Sequence, residues 1–118
     1  MKDNIKLKAI CVFLLMLAAS CGDNAEQKED NPLFNREPAL QKVTEAIRKD
    51  PGNAQLYFER AVLLDRMEED SLALNDYKKA ISLDSNRAEY YSAIGDMLFE
   101  HKDLEGSVLW LEKALSVN

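Results

Sequence analysis

The sequence predicts an all-α protein built from repeated antiparallel helices. Apolar residues after position 35 recur at intervals of three and four, which is helical spacing. The second half of the chain also resembles itself at a shift of 34 residues. Polar turn signals separate the apolar segments, namely Asp50-Pro51-Gly52-Asn53, Glu69-Asp70, Asp84-Ser85-Asn86 and Lys102-Asp103. We therefore expect five helices, near 36–49, 54–67, 71–83, 87–101 and 104–117.

The first 20 residues have the pattern of a cleaved secretory signal. Three lysines lie within residues 1–8, and an uncharged, mostly apolar run covers 9–19. That run is about half as long as an α-helix that crosses a bilayer. Small residues, Ala19 and Ser20, then precede Cys21.

The run Leu17-Ala18-Ala19-Ser20-Cys21 resembles a bacterial lipobox, although Ala18 stands where leucine is usual. The resemblance implies cleavage before Cys21 and attachment of fatty acyl chains, such as palmitate, to this cysteine. Several acyl chains hold a domain at a membrane far more firmly than one. By the same resemblance, aspartate after the cysteine would favour retention in the inner membrane, so Gly22 favours the outer membrane. The face of that membrane on which the domain lies is not specified by the sequence. The alternative is an ordinary signal peptide that leaves a soluble secreted protein.

Residues 21–35 are polar, mostly acidic and without a helical period, which predicts a disordered tether after the lipidated cysteine. The folded domain is expected to occupy residues 36–118. Residues 1–20 hold three lysines and one aspartate, so the net charge of −6 becomes −8 once they are removed. An acidic domain is repelled by anionic lipids and needs the anchor. It is also unlike a nucleic-acid binder, which is usually basic.

The 34-residue shift aligns positions where side-chain size matters. Ala54, Tyr57, Leu64 and Ala80 meet Ala88, Tyr91, Leu98 and Ala114, and a half-repeat begins at Ala39. The pattern resembles the tetratricopeptide repeat, a helix–turn–helix unit of this period. The signature residues are Tyr57, Arg60-Ala61, Leu64, Ala73, Tyr77 and Ala80, then Tyr91, Ile94-Gly95, Leu98, Ser107, Leu111 and Ala114. Arg60 replaces the usual leucine, and Ser85 replaces a closing proline that Pro51 supplies in the half-repeat.

The resemblance implies a TPR-like solenoid of two and a half repeats whose first helices line a concave groove. The alternative is an unrelated five-helix bundle. The groove residues are mapped as Gln55, Phe58, Val62, Asp65, Arg66, Glu89, Ser92, Asp96, Phe99 and Glu100. Their acidic and apolar character favours a protein or peptide partner that is basic and partly apolar. The alternative is that these side chains form a solvent-exposed face that binds no partner.

The last predicted helix is a second candidate interface. Leu109 and Trp110 stand where the preceding repeat has Asn75 and Asp76. An exposed apolar patch of this kind often marks an interface, so partner docking or a homodimer through Leu109 and Trp110 is expected. Alternatively, these side chains fold back onto the penultimate helix. At the N-terminus of the fourth helix, Asn86 and Glu89 resemble a capping box.

No catalytic motif or cofactor site is expected. His101 is the sole histidine, and only Cys11 and Cys21 could supply a thiolate, both in the targeting segment. The sequence therefore predicts a lipid-anchored, non-enzymatic interaction adaptor of the bacterial cell envelope. The alternative is a structural subunit that only self-associates through its last helix.

Overall fold

The computed structural model describes residues 31–117, in which every regular element is an α-helix. The predicted signal peptide, Cys21 and most of the predicted tether lie outside these residues. The helices are α1 (Pro32–Arg36), α2 (Pro38–Lys49), α3 (Ala54–Arg66), α4 (Asp70–Leu83), α5 (Ala88–Glu100) and α6 (Leu104–Ser116). The prediction of an all-α, TPR-like solenoid is confirmed.

The folded unit begins earlier than residue 36, within the segment predicted to be a tether. Helix α1 is only five residues long, too short to show a period in the sequence. Its Phe34 is 1% exposed, and the ring lies 4.5 Å below the guanidinium carbon of Arg60. Glu37 then adopts an extended conformation, because the ring of Pro38 disfavours helix in the residue before it. Proline is suited to the first turn of α2, since it lacks an N–H that would have no partner there.

The repeat helices form two closely packed hairpins, α3 with α4 and α5 with α6. Small residues make the close approach possible, since Ala61, Ala73 and Ala80 are fully buried. A Cβ atom on Gly95 would lie 2.8 Å from Leu111 Cγ. Large side chains fill the rest of the core, as the repeat pattern predicts. The buried apolar residues are Phe34, Leu40, Val43, Ile47, Tyr57, Ala61, Leu64, Ala73, Tyr77, Ala80, Tyr90, Ile94, Met97 and Ala114.

The turns inside the two hairpins have the same backbone conformation. Glu68 and Lys102, which are 34 residues apart, both have positive φ angles, of 60° and 65°. The next amide N–H in each turn, that of Glu69 or Asp103, donates to a carbonyl five residues back, at 2.9 Å. This is the Schellman way of ending a helix.

The turns that lead into α3 and α5 are also equivalent. The Tyr57 hydroxyl donates to the carbonyl oxygen of Pro51 at 3.1 Å, and the Tyr91 hydroxyl donates to that of Ser85 at 3.0 Å. Ser85 therefore replaces the expected proline without loss of this bond, because the acceptor is backbone.

Two of the helix starts differ in their capping. Asp103 caps α6 by accepting from the amide of Gly106 at 2.9 Å. The capping box expected at Asn86 is wrong, because Arg87 is the N-cap residue and its side chain makes no cap. The Asp84 side chain instead accepts from the backbone amide of Asn86.

Candidate functional site

The groove residues predicted on α3 divide between two environments. Asp65 and Arg66 lie at the C-terminal end of the helix, where Arg66 is exposed and Asp65 accepts a hydrogen bond from the Tyr77 hydroxyl at 3.2 Å. Gln55 is half-buried and its side-chain oxygen lies 3.4 Å from the Tyr90 hydroxyl, which donates to it. The remaining two, Phe58 and Val62, are half-buried and pack against the core.

The five groove residues predicted on α5 are more open. Phe99 is 63% exposed, and Asp96 and Glu100 are also exposed. Ser92 uses its hydroxyl to donate to the carbonyl of Glu89 one turn earlier. The Glu89 carboxylate lies 3.5 Å from the guanidinium of Arg87. An aromatic ring beside two exposed carboxylates is therefore what α5 offers to a partner.

The structure brings Asp65 into a negative field. Burial raises the pKa of the Asp65 carboxyl, the Tyr77 hydrogen bond opposes this rise, and the charges of Glu100 and Asp70 add to it. Burial and the Asp65 charge likewise raise the pKa of the Tyr77 hydroxyl, so this hydroxyl remains a donor. Nε2 of His101 lies 3.1 Å from Oδ1 of Asp70, although not in hydrogen-bond geometry. We name Asp65, Asp96, Glu100 and Phe99 the acidic face.

A separate apolar groove of about 580 Å³ lies between α2 and α3. Phe58 and Val62 line this groove with residues of α2, while no α5 residue does. Lys42 and Glu59 are the two charged residues among its walls. The complete lining is Ala39, Lys42, Val43, Ala46, Leu56, Phe58, Glu59, Val62 and Leu63. We name it the α2–α3 groove.

The two residues predicted for the C-terminal interface behave differently. Leu109 is 51% exposed and lines a shallow surface depression of α6. Trp110 is half-buried, with its ring centroid 6.2 Å from that of Tyr91 on α5 and the Lys113 ammonium 4.2 Å above it. Trp110 therefore packs on the penultimate helix, as the alternative interpretation expected, and only Leu109 of the pair lies open.

Four other exposed apolar side chains of α6 were not predicted as a site. Leu104, Val108, Leu111 and Leu115 are 59%, 55%, 36% and 85% exposed. Their spacing of four, three and four places them on one helix face. The equivalent residues 34 positions earlier include Leu74, Tyr77 and Ile81, which contribute to the core. We name these four residues the α6 stripe.

Sequence reasoning missed the α2–α3 groove and the α6 stripe for one reason. Both are surfaces that are buried in one repeat and open in another, while the pattern of apolar residues is the same in each. Comparing each buried residue with its equivalent 34 positions away is the signal that finds them.

The part of the chain that the structure describes offers no group of three metal-ligating side chains. Among those same residues, no helix has the length and apolarity needed to span a bilayer.

Comparison with known proteins agrees with the repeat architecture. A family model described as tetratricopeptide repeat matches residues 54–87, which cover α3, α4 and the turn that follows. The chain is 32% identical over 101 residues to "DnaJ homolog subfamily C member 7 homolog" of Dictyostelium discoideum, an alignment covering 80% of this chain and 19% of that protein. It is 31% identical over 80 residues to "TPR repeat-containing protein MJ1428" of Methanocaldococcus jannaschii, covering 68% of this chain and 14% of that protein. The chain thus spans less than a fifth of the length of either relative.

Proposed function

Since residues 54–87 are a tetratricopeptide repeat within a TPR-like helical fold, we propose that this chain is a lipid-anchored interaction adaptor of the bacterial cell envelope. Tetratricopeptide repeats generally mediate protein–protein interaction, and this favours binding over catalysis. The proposed partner is a protein or peptide that presents positive charge next to an apolar side chain.

The acidic face is the observation that carries this proposal. Asp65 is half-buried, its pKa is raised by burial, and Glu100 and Asp70 oppose its ionisation. A basic side chain placed among these carboxylates would relieve their repulsion, and it would gain charge-assisted hydrogen bonds. Phe99 supplies an apolar contact beside them. Rim charges of this type set partner choice and association rate more than affinity.

Charge reversal tests the acidic face. The double variant Asp96→Lys with Glu100→Lys changes two exposed side chains, so the fold is preserved. Glu105→Lys with Glu112→Lys on α6 is a control with the same change of net charge. Crosslinking in intact cells, followed by affinity capture of the full-length chain, should recover a partner with the wild type and the control. Equal recovery by the acidic-face variant contradicts binding at this face.

The membrane anchor is proposed from the sequence around Cys21. Metabolic labelling with a palmitate analogue should mark the chain, and Cys21→Ser should abolish the label. Cys11→Ser is the matched control, because it removes the other thiol of the targeting segment. Loss of label from the Cys11 variant alone, or persistence in the Cys21 variant, contradicts lipidation at Cys21. Separation of inner and outer membranes then locates the labelled chain, which we expect in the outer membrane.

The second candidate function is a structural subunit that self-associates, and the exposure of the α6 stripe favours it. The interface would centre on Val108 and Leu115 rather than on Trp110, which packs on α5. Sedimentation of the full-length chain should then show a dimer that Leu115→Glu dissociates. A monomer at all concentrations is evidence against self-association.

A further inference from the structure

The wall of the α2–α3 groove formed by α3 is a surface that a helix covers in the next repeat. Leu56 and Leu63 are half-buried on this wall. Their equivalents on α5, Tyr90 and Met97, are 1% and 3% exposed. Tyr90 is covered by the preceding repeat, since its ring centroid lies 4.9 Å from that of Phe58 on α3. The α3 wall has no such helix before it within residues 31–117.

The wall formed by α2 shows the same contrast at two of three equivalent positions. Its residues Ala39, Val43 and Ala46 are equivalent to Ala73, Tyr77 and Ala80 of α4, which are all at most 2% exposed at the contact with α3. On α2, Ala39 is exposed and Ala46 is half-buried, whereas Val43 is buried at 7% exposure. Val43 is also smaller than Tyr77, which leaves additional room. The two walls therefore correspond to the surfaces that enclose the first helix of a repeat. The groove lies where the first helix of the half-repeat would pack.

The chain's own sequence does not suit this place. The 34-residue register assigns residues 20–32 to it. Asp23, Gln27 and Asp30 would then stand at the positions of Tyr57, Ala61 and Leu64, and Pro32 begins α1. Carboxylates at core positions are unfavourable, because burying a charge is costly.

The residue at the Asp76 position of each repeat indicates which charge a helix in the groove should carry. In the first repeat, Arg60 of α3 pairs with Asp76 of α4 across the hairpin, with Nε 2.7 Å from Oδ2. In the second repeat the equivalent pair is apolar, Ile94 and Trp110. In the half-repeat the residue at the Asp76 position is Lys42, which lines the groove. A helix in the groove would therefore face the positive charge of Lys42 at the position where α3 faces the negative charge of Asp76.

We propose that the α2–α3 groove receives an amphipathic α-helix of a partner protein, which completes the half-repeat in trans. The helix carries large apolar residues at the positions of Tyr57 and Leu64 and a small residue at that of Ala61. An acidic residue just before the small one pairs with Lys42. This site is distinct from the acidic face, and it shares Phe58 and Val62 with the predicted groove residues.

The test uses two helical peptides, each constrained by a side-chain crosslink on its outer face. One has the sequence of residues 53–67, and the other is the same peptide with Arg60→Glu. Fluorescence anisotropy measures their binding to the full-length chain. We expect the R60E peptide to bind roughly fivefold to tenfold more tightly than the unchanged peptide, since a partly exposed ion pair contributes about 1 kcal/mol.

Variants of the chain then assign the binding to the groove. Lys42→Glu should reverse the order of the two peptides, while Lys78→Glu, an exposed lysine of α4, should leave it unchanged. Ala46→Trp should abolish binding of both peptides, with circular dichroism confirming that it folds. Asp96→Lys should leave peptide binding intact, so that failure here and failure of the acidic face are distinguished.

Three results would overturn the proposal. The first is that neither peptide binds, or that both bind with an order that Lys42→Glu does not change. The second is that Ala46→Trp leaves binding intact in a folded chain. The third is a dimer of the full-length chain that resists both peptides and dissociates with Ala46→Trp, because the groove would then hold a second copy.

Discussion

Removal of the Asp76 carboxylate should destabilise the protein severely. The Arg60 side chain is 2% exposed and that of Asp76 is 7% exposed. The two groups share two hydrogen bonds, Nε to Oδ2 at 2.7 Å and Nη2 to Oδ1 at 3.0 Å. The other guanidinium nitrogen lies 3.3 Å from the hydroxyl of Thr44, and the Phe34 ring covers the group. Asp76→Ala would remove both of these hydrogen bonds from the buried guanidinium.

The expected cost is about 3–5 kcal/mol, the usual penalty for breaking a buried ion pair by removing one partner. Each hydrogen bond to a charged group contributes about 1.5–3 kcal/mol, so two lost bonds give a similar figure. A small domain has a total stability of about 5–15 kcal/mol. The measurement is urea unfolding followed by far-ultraviolet circular dichroism. Glu45→Ala is the control, because its contacts with Arg48 and Lys49 are exposed, and it should cost no more than about 0.5–1 kcal/mol.

The double variant Arg60→Met with Asp76→Leu should recover most of this loss. Buried ion pairs are often replaced by apolar residues of similar volume without a net penalty. The second repeat does this naturally with Ile94 and Trp110. The reasoning is refuted if Asp76→Ala costs less than about 1 kcal/mol, or if the double variant is less stable than Asp76→Ala alone.

Three further predictions concern stability. Asp65→Asn should stabilise the protein at neutral pH by less than about 1 kcal/mol. The raised pKa of Asp65 means that ionisation opposes folding, so this gain should vanish as the pH falls through the folded-state pKa to below 3.8; a gain that persists in acid contradicts it. Lys102→Gly should stabilise the protein by roughly 0.5–1 kcal/mol, because residue 102 has a φ of 65°, which glycine adopts without strain. Lys113→Gly, within α6, is the control and should destabilise the protein. Equal effects of the two variants in thermal unfolding would refute this prediction. Phe34→Ala should cost about 3–5 kcal/mol in urea unfolding, and a negligible cost would restore the tether to residue 35.

The repeat helices could be predicted from the sequence because each has a local apolar period, and because the same pattern occurs in two repeats. The 3.6-residue period and the turn residues determine α2 to α6, and the 34-residue shift shows which small residues meet. Helix α1 was missed because one turn of helix has no measurable period, and its only strong signal is the single ring of Phe34. That ring is buried against Arg60, which lies on another helix.

The candidate site was less predictable. The exposed residues on α5 followed from the repeat register, since a position on a helix face determines which way its side chain points. The environment of Phe58 and Val62 did not follow, because it depends on which neighbouring helix is present. Likewise, the sequence shows that Leu109 and Trp110 are apolar, but only the packing of Trp110 against Tyr91 separates their roles.

The tyrosine bonds at Pro51 and Ser85 affect how such chains are recognised at all. A phenol that docks on a peptide carbonyl is indifferent to the side chain attached to that peptide unit. Residue 51 or 85 can therefore be substituted while the turn keeps its conformation. Searches that weight the proline heavily would undercount these corners, whereas searches that weight the tyrosine six positions later would find them.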